Sequence, residues 1–348
     1  MKIAVSKPDI SSLEKEYVNK ALDSGWISSQ GDFIPKFEEA WANYNSYKYG
    51  VACSSGTTAL TIALRALGIK HGDEVIVPEF TMIATAWAVS YLGATPVFVD
   101  CGTDLNIDVT KIEEKITDKT KAIMPVNIYG RQTDRKAIRA IAHDYNLYIV
   151  EDCAESHGVP PYGDIACYSL FANKIITAGE GGVCLTNDPR LAEQMKHLRG
   201  MAFDTDHTFL HKKLGYNYRM TNMQGALALA QVERIDELLE KRNKIEFWYD
   251  KYLPEGFLTR PRDVLWFYDI LAFDHRDKLR DYLKKTGIET RLFFKPMSMQ
   301  PMYYNENYKK LLAYKYAQEG LYLPTHSGML EEEVKHICLQ LTNFTHSL

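Results

Sequence analysis

The stretch YGVACSSGTTALTIALRALGI (49–69) contains the features that decide the fold. It opens with a short apolar run, passes through a turn of serine, glycine and threonine, and continues with a helical pattern. Leu60, Ala63 and Leu64 fall on one face of that helix. A short buried strand that leads into a helix is the first part of a βαβ unit, so the segment predicts an α/β fold.

The same alternation of strands and helices continues along the chain to about residue 187. Segments of helical length, such as TAWAVSYLG (85–93) and RKAIRAIAHDYN (135–146), separate several further apolar runs. This pattern predicts a mostly parallel sheet with both faces covered, whose ligands bind beyond the carboxyl ends of the strands. The additional runs predicted as strands are DEVIVPEF (73–80), TPVFVD (95–100), KAIMPV (121–126), LYIVED (147–152) and GVCLTN (182–187).

The C-terminal third of the chain predicts a second, smaller unit. One long helical pattern covers residues 221–252 and is followed by an apolar run, LWFYDILAF (265–273). Two further helical patterns are RDKLRDYLKKTG (276–287) and EEEVKHICLQLTNF (331–344). We therefore expect a large domain at 1–240, which includes an N-terminal arm, and a small C-terminal α/β domain at 241–348.

Composition narrows the class of protein. The 348 residues are 46% hydrophobic and 25% charged, with a net charge of −4, which is typical of a soluble globular protein rather than a nucleic-acid scaffold. No stretch reaches the roughly 18 apolar residues that span a bilayer, and the N-terminus does not resemble a signal peptide. We therefore expect a cytoplasmic protein that associates with neither membrane nor nucleic acid.

The cysteine and histidine residues do not predict a metal site. None of the six cysteines forms a CxxC pair, and the ten histidines show no metal-binding spacing near carboxylates. Several cysteines lie in apolar runs, where a reduced cysteine behaves as a small hydrophobic residue. A dinucleotide-binding enzyme is also disfavoured, because no GxGxxG follows the first strand.

Three polar features fall at strand ends and together suit one ligand. The turn Ser54–Thr58 can bind a phosphate at a helix N-terminus, Asp152 can pair with a protonated ring nitrogen, and Lys174 can form a Schiff base. Each has an ordinary alternative: a helix cap, an acid that ends a strand, and a lysine that reaches from a strand end to water. The combination of the three features, rather than any single residue, favours a reactive ligand site over these ordinary roles.

Seven segments of the chain resemble the DegT/DnrJ/EryC1/StrS-type sugar aminotransferases, a family of fold-type-I pyridoxal-phosphate enzymes. The likeness covers nearly the whole chain. The segments are CSSGTTAL (53–60), VPEFTMIATA (77–86), LGATPVFVD (92–100), VEDCAESHG (150–158), YSLFANKIITAGEGGVCLTND (168–188), LGYNYRMTNMQGALALAQVERID (214–236) and GLYLPTH (320–326).

The resemblance implies an aspartate-aminotransferase-like fold with a seven-stranded, mostly parallel sheet, and pyridoxal 5′-phosphate as the cofactor. Lys174 matches the lysine that binds this cofactor covalently and moves the proton during transfer. Asp152 matches the partner of the pyridine nitrogen, and Glu155 a residue that lies against the ring near its 3-hydroxyl. The positions that match phosphate-binding residues are Gly56, Thr57, Thr58 and Ser169, with Asn217 reaching the phosphate from the neighbouring subunit of a homodimer.

The resemblance also implies a ping-pong transfer from L-glutamate to C4 of a nucleotide-linked 4-keto-6-deoxyhexose, as in perosamine and viosamine synthases. Transfer at C3, and a cofactor-binding regulatory protein without turnover, remain alternatives. The sequence does not indicate which nucleotide the sugar carries. Candidate contacts to the sugar nucleotide, for each of which packing or surface hydrogen bonding is an equal alternative, are Trp26, His157, Arg219, Arg291 and His326.

Three positions depart from the family pattern. Met82 stands where many relatives carry an aromatic ring stacked on the cofactor, and a methionine can pack on such a ring instead. Asn127 and Ser298 each replace a frequent histidine. We expect these two substitutions to alter the shape of the sugar pocket.

Overall fold

The computed structural model describes residues 2–203 and 209–348. The strands in these residues are β1 (Tyr49–Cys53), β2 (Glu74–Pro78), β3 (Thr95–Val99), β4 (Thr120–Ile123), β5 (Tyr148–Asp152), β6 (Ile165–Ser169), β7 (Gly182–Thr186), β8 (Tyr268–Leu271), β9 (Arg291–Leu292) and β10 (Gly320–Leu323). The α-helices are α1 (Ser12–Asp23), α2 (Phe33–Tyr44), α3 (Gly56–Ala66), α4 (Ile83–Ser90), α5 (Arg135–Asp144), α6 (Pro189–Arg199), α7 (Asn222–Glu233), α8 (Ile235–Tyr252), α9 (Arg276–Lys285), α10 (Leu312–Glu319) and α11 (Glu331–Thr345).

The first seven strands form one mixed sheet in the order β1-β7-β6-β5-β4-β2-β3. Strand β7 is antiparallel to both of its neighbours, and every other adjacent pair of strands from β6 to β3 is parallel. This is the mostly parallel, seven-stranded α/β sheet that the sequence and the resemblance predict. The carboxyl ends of the parallel strands therefore meet at one edge, where the site residues were expected.

Helices cover both faces of this sheet, and the alternation of side chains along each strand explains how. In β1, Val51 and Cys53 pack with α3, α4 and α6, whereas Ala52 between them packs with α2 and α7 on the opposite face. Strand β7 divides in the same way, with Cys184 facing α3 and its two neighbours facing α2. A strand buried on both faces needs an uninterrupted apolar run, which is the pattern that the sequence shows.

The structure differs from the prediction in two elements. Strand β6 was not recognised among the apolar runs, because IACYS (165–169) is short and runs directly into the Lys174 segment. The single helix predicted at 221–252 is two helices, α7 and α8, separated at Arg234, whose backbone leaves helical geometry (φ −107°, ψ 7°). The Arg234 guanidinium forms ion pairs with Asp9 and Glu14. These contacts with the N-terminal segment stabilise the non-helical backbone at Arg234.

The C-terminal residues form a second, three-stranded antiparallel sheet in the order β8-β10-β9. Helices α8, α9 and α11 pack around it in a separate apolar cluster, which Ile3 from the N-terminus joins through a bridge to Ile288. The predicted domain boundary at residue 240 falls inside α8, and it remains a prediction.

Three further predictions concern the chemistry of the chain as a whole. All six cysteines are buried and unpaired, consistent with the prediction that they serve as small apolar residues. Within residues 2–203 and 209–348, no group of three or more potential ligand side chains is arranged to hold a metal ion. No helix in the described part of the chain has the length and apolar character needed to cross a membrane.

Candidate active site

The polar turn after β1 forms the N-terminus of α3. Ser55 caps the helix: its Oγ accepts the backbone N–H of Thr58 at 3.2 Å, and Thr58 Oγ1 accepts the N–H of Ser55 at 3.0 Å. The Thr58 hydroxyl, predicted to bind phosphate, therefore belongs to the cap instead. Gly56 and Thr57 line a cavity, where the free N–H groups of the first helical turn favour an anion. The turn is thus both a cap and a candidate phosphate site.

Gly56 allows this turn to approach β6. A Cβ at Gly56 would lie 2.7 Å from Cβ and 3.2 Å from Oγ of Ser169, closer than real side chains pack. Ser169 ends β6 and also lines the cavity. A larger residue at position 56 would therefore fill the space between the helix N-terminus and the serine hydroxyl.

Asp152 ends β5 and is almost completely buried, with its carboxylate at the cavity. Its Oδ2 accepts the Thr85 hydroxyl at 2.8 Å and its Oδ1 accepts the Ala154 N–H at 3.1 Å. Burial raises the pKa of Asp152, and these hydrogen bonds and the charge of Lys174 oppose that rise. A cation placed in the cavity would stabilise the carboxylate further, so Asp152 suits a protonated ring nitrogen.

Lys174 lies in the turn after β6, and its amine reaches the same cavity. Burial lowers the pKa of Lys174, while the carboxylates of Glu155 and Asp152 act in the opposite direction. Burial likewise raises the pKa of Glu155, whose Oε2 accepts the N–H of Tyr129 at 2.8 Å. A desolvated amine in the field of two carboxylates can change its protonation state at modest cost, as a lysine nucleophile requires.

These residues surround one cavity of about 410 Å³, large enough for a cofactor-sized molecule. The predicted residues on its wall are Gly56, Thr57, Met82, Asp152, Glu155, Ser169 and Lys174. Segments 55–57, 81–84, 152–155 and 167–174 all contribute, because the strands of one sheet end here. The cavity therefore combines an anion cradle, a carboxylate and an amine.

Comparison with known proteins identifies the family. The model of the DegT/DnrJ/EryC1/StrS aminotransferase family matches residues 8–342. The chain belongs to this family. It is 41% identical to GDP-perosamine synthase of Escherichia coli O157:H7 (98% of each chain) and 42% identical to GDP-perosamine synthase of Caulobacter vibrioides (98% of this chain, 97% of the relative). The PLP form of the putative sugar aminotransferase Spr1654 from Streptococcus pneumoniae superimposes with a TM-score of 0.91 at 27% identity, over 100% of this chain and 99% of that one.

The protein is therefore a pyridoxal-phosphate-dependent sugar aminotransferase with the fold of fold-type-I enzymes. The cavity fits this cofactor: the free N–H groups at the start of α3, beside Gly56 and Thr57, can take the phosphate, Asp152 can take the ring nitrogen, and Lys174 can take the aldehyde. Bound there, pyridoxal phosphate supplies an aldehyde that accepts amino groups and a ring that accepts electrons. Asp152 would supply the carboxylate that faces the ring nitrogen, and Lys174 the amine.

The close approach at Gly56 leads to a prediction about cofactor affinity. We expect Gly56→Ala to weaken pyridoxal-phosphate binding about 5- to 30-fold, because the added methyl group displaces Ser169 or the helix N-terminus. Equilibrium titration of the cofactor-free enzyme measures the effect. Thr58→Ser, which keeps the cap hydroxyl, is the matched control and should bind as the wild type does. Equal affinity in the wild type and Gly56→Ala would contradict the cradle.

Met82 occupies the position of the family's stacking ring. It precedes α4 as its N-cap residue, and half of its side chain is exposed where it lines the cavity. A flexible thioether at this position can lie against a flat ring, since sulfur packs favourably on aromatic groups. The placement agrees with a packing contact on one face of the cofactor.

Besides Thr58 and His157, five predicted residues do not line this cavity within one chain. Exposed Trp26 offers its backbone carbonyl to Asn222, and Arg291 pairs with Glu289 on the surface. Arg219 lies in a separate basic groove, where its Nε donates to Asn217 Oδ1 at 3.0 Å. The remaining two residues away from the cavity are His326, which is half-buried near the C-terminal unit, and the exposed Asn217 itself.

The predicted sugar contact of His157 is wrong. His157 is buried in the core, where its ring packs against Trp41 and Tyr168 and its Nδ1 accepts the N–H of Ile176 at 3.3 Å. It therefore supports the segment that carries Lys174 from behind rather than facing a substrate. Burial lowers the pKa of His157 to about 3, with the nearby Lys174 charge adding to the effect, so the imidazole is neutral at physiological pH.

The low pKa of His157 predicts how stability depends on pH. Below its usual pKa of 6.5 the unfolded chain takes up a proton that the folded chain excludes, so stability falls as pH drops from about 6.5 toward about 3. We expect His157→Leu to reduce the pH slope of the unfolding free energy by up to about 1.4 kcal/mol per pH unit in that range. Urea unfolding at several pH values measures the slope. The exposed His143→Leu is the control, and identical slopes in wild type and His157→Leu would exclude the effect.

The two departures from the family pattern are also away from the cavity wall. Asn127 is buried, donates to Ser156 Oγ at 3.2 Å and accepts the Thr133 N–H at 3.1 Å. Ser298 is buried against Glu79 and donates both its N–H, at 2.6 Å, and its hydroxyl to that carboxylate. Neither side chain lines the cavity around Lys174, and their effect on the sugar pocket stays a prediction.

Several wall residues were not predicted as site residues. Three aromatic side chains, Trp266, Phe294 and Tyr322, come from the C-terminal part of the chain, and Glu180 from the glycine-rich turn. The apolar run at 265–273 and the motif at 320–326 were visible in the sequence, but only as core and family signals. Their approach to Lys174 depends on how the C-terminal sheet packs on the large one.

Proposed function

We propose that this aminotransferase transfers the amino group of L-glutamate to C4 of a GDP-linked 4-keto-6-deoxyhexose. The observation that carries the proposal is the 41–42% identity, over 98% of the chain, to two GDP-perosamine synthases. The cavity with Lys174, Asp152 and the α3 N-terminus supports transamination rather than a regulatory role without turnover. Such a regulatory homologue would have no need for an amine poised by burial between two carboxylates.

Within this proposal each residue has one task. Lys174 Nζ holds the cofactor and then moves the proton between donor or acceptor carbon and cofactor, while Asp152 keeps the ring nitrogen protonated. Gly56, Thr57 and Ser169 hold the phosphate, and Met82 packs on the ring. Glu155 lies against the ring, held by the Tyr129 N–H.

We further propose that two chains build each active site, with Asn217 reaching the phosphate of the partner subunit. Asn217 is exposed, is absent from its own cavity wall and is held by Arg219, which supports a role outside its own chain. The basic groove that contains Arg219 also contains Lys196 and Arg199. Their positive charge suits a neighbouring subunit that carries a phosphate group.

A mixing experiment tests the shared site. Lys174→Ala and Asn217→Ala chains, each of which we expect to have low activity alone, are unfolded together, refolded and assayed. If Asn217 acts across subunits, half of the dimers are hybrids with one intact site of two, and about a quarter of the wild-type activity returns. If Asn217 acts within its own chain, every site lacks one residue and activity stays at the level of the single variants.

The substrate assignment is tested with purified enzyme, L-glutamate and a panel of nucleotide-linked 4-keto and 3-keto sugars, with NMR of each product. We expect amine formation at C4, fastest with the GDP-linked sugar. Faster reaction of a 3-keto sugar, with the amine at C3, would replace the proposal by the C3 alternative. No amine from any sugar, in an enzyme that binds the cofactor, would favour the regulatory alternative.

A further inference from the structure

Trp266 is a residue of the cavity wall whose ring contacts the amine of Lys174. It precedes β8 in the C-terminal unit, is buried, and lies on the cavity wall. Its ring centroid is 4.0 Å from Lys174 Nζ, and its Nε1–H donates to the backbone carbonyl of Asn173 at 2.9 Å. One indole therefore contacts both the reactive amine and the backbone of the residue before it.

Contacts of the Trp266 backbone and ring fix the position of the indole. The backbone carbonyl of Trp266 accepts Arg242 Nη1 at 2.8 Å and the Thr325 hydroxyl at 2.9 Å. The ring also packs against Phe267, with centroids 4.3 Å apart. An aromatic ring fixed at its backbone and at its Nε1 presents a constant face to the amine.

We propose that Trp266 is a positioning residue, which keeps the amine of Lys174 over its ring whenever that amine is not bound to the cofactor. The inference rests on the proposed role of Lys174. During a ping-pong transfer the amino group leaves on the cofactor and Lys174 is released, so the amine needs a defined place from which to move a proton and to return. The electron-rich indole face offers that place without a negative charge that would hold the ammonium too tightly.

Several groups around the Lys174 amine affect the stability of its ammonium form, and the contribution of Trp266 adds to theirs. The carboxylates of Asp152 and Glu155 stabilise the ammonium, and burial opposes it. An indole face acts in the same direction as the carboxylates, because its quadrupole attracts a cation. Other titratable groups near the amine or on the cavity wall are the neutral His157 behind the lysine segment, Cys167, Tyr168, Glu180 and Tyr322.

The proposal predicts the protonation behaviour of Lys174 in the cofactor-free enzyme. Trp266→Met removes the ring but keeps much of the volume, so the ammonium loses one stabilising partner. We expect the pKa of Lys174 to fall by about 0.5 to 1.5 units, which is a roughly 3- to 30-fold larger fraction of free amine at a pH below both values. Trp266→Phe keeps a ring face and should give a smaller fall.

The measurement is competitive labelling with trace acetic anhydride across a pH series. Mass spectrometry of the Lys174 peptide gives the fraction labelled, with the exposed Lys244 of α8 as the internal reference. Phe294→Leu, which changes another aromatic wall residue, is the matched control and should leave the Lys174 profile as in the wild type. Circular dichroism checks the fold, and Trp266→Leu takes the place of Trp266→Met if the latter does not fold.

A lower Lys174 pKa in the ring-less variant, with Trp266→Phe in between, supports the proposal. An unchanged pKa in Trp266→Met or Trp266→Leu overturns it, and so does an equal fall in Trp266→Phe and Trp266→Met, because the ring face would then be irrelevant. The labelling uses neither cofactor nor sugar. Its failure is therefore distinct from failure of the proposed substrate, which is judged by the NMR products.

Discussion

Lys174→Ala is expected to lower the rate of amino transfer by at least about 10³-fold, since no second lysine among the described residues lines the cavity and could replace its amine. The fold should survive, because the Lys174 side chain lines a cavity and is absent from the apolar core clusters. Steady-state turnover with L-glutamate and the keto sugar measures the loss, and circular dichroism and thermal unfolding measure the fold.

The matched control is Lys295→Ala, which removes an exposed lysine outside the cavity wall. That variant should retain wild-type turnover. If Lys174→Ala kept a rate within about tenfold of the wild type, an interaction worth only about 1.4 kcal/mol would have been lost. Lys174 could not then be the cofactor lysine.

Asp152→Asn is expected to lower turnover by about 10²- to 10³-fold, the range seen when one preorganised electrostatic partner is removed. The amide cannot balance a protonated ring nitrogen, so the cofactor loses its capacity to accept electrons. Cofactor-free Asp152→Asn should nevertheless be at least as stable as the wild type. Burial raises the pKa of Asp152, and its ionised form therefore destabilises the empty site at neutral pH.

Glu151→Gln provides the matched control for Asp152. Glu151 is the preceding residue of β5, and its Oε1 accepts backbone N–H groups of Tyr162 and Gly163 on the other face of the sheet. An amide oxygen can accept the same bonds, so turnover should stay close to the wild type. Comparable losses in both variants would show that the fall in Asp152→Asn reflects damage to β5 rather than loss of the ring partner.

The reactive residues could be predicted because the topology brings strand ends together. Asp152 ends β5, a predicted strand, so the βα alternation places it at the carboxyl edge of a parallel sheet. Lys174 follows β6, which was not predicted, so its assignment came from its motif. The serine and threonine turn also belongs to that edge. For the same reason Met82, four residues after β2, lies on the cavity wall.

Contacts between distant segments could not be read from local patterns. Trp266 meets the Lys174 segment across 93 residues of sequence, and the packing of the C-terminal sheet alone decides that meeting. His157 shows the opposite case, a residue assigned to the site because of its place in the sequence. It follows Asp152 and Glu155 closely, but its side chain packs in the core between Trp41 and Tyr168. Proximity in sequence to a site residue does not determine which way a side chain points.

The break at Arg234 has the same origin. The residues from 222 to 252 contain neither proline nor any glycine near the break, so the pattern predicts one helix. The ion pairs of Arg234 with Asp9 and Glu14 join it to residues more than two hundred positions away. Local propensity is a weak prior that such tertiary contacts override.

Amino transfer through the Lys174 site is tested most directly by the visible absorption of the cofactor-loaded enzyme. The spectrum is recorded alone, then with L-glutamate, and then with the GDP-linked 4-keto-6-deoxyhexose after the glutamate has been removed. We expect glutamate to abolish the band of the lysine-bound cofactor with release of one 2-oxoglutarate per site, and the keto sugar to restore it. A band that is present but does not respond to glutamate would contradict the proposed glutamate-dependent transfer.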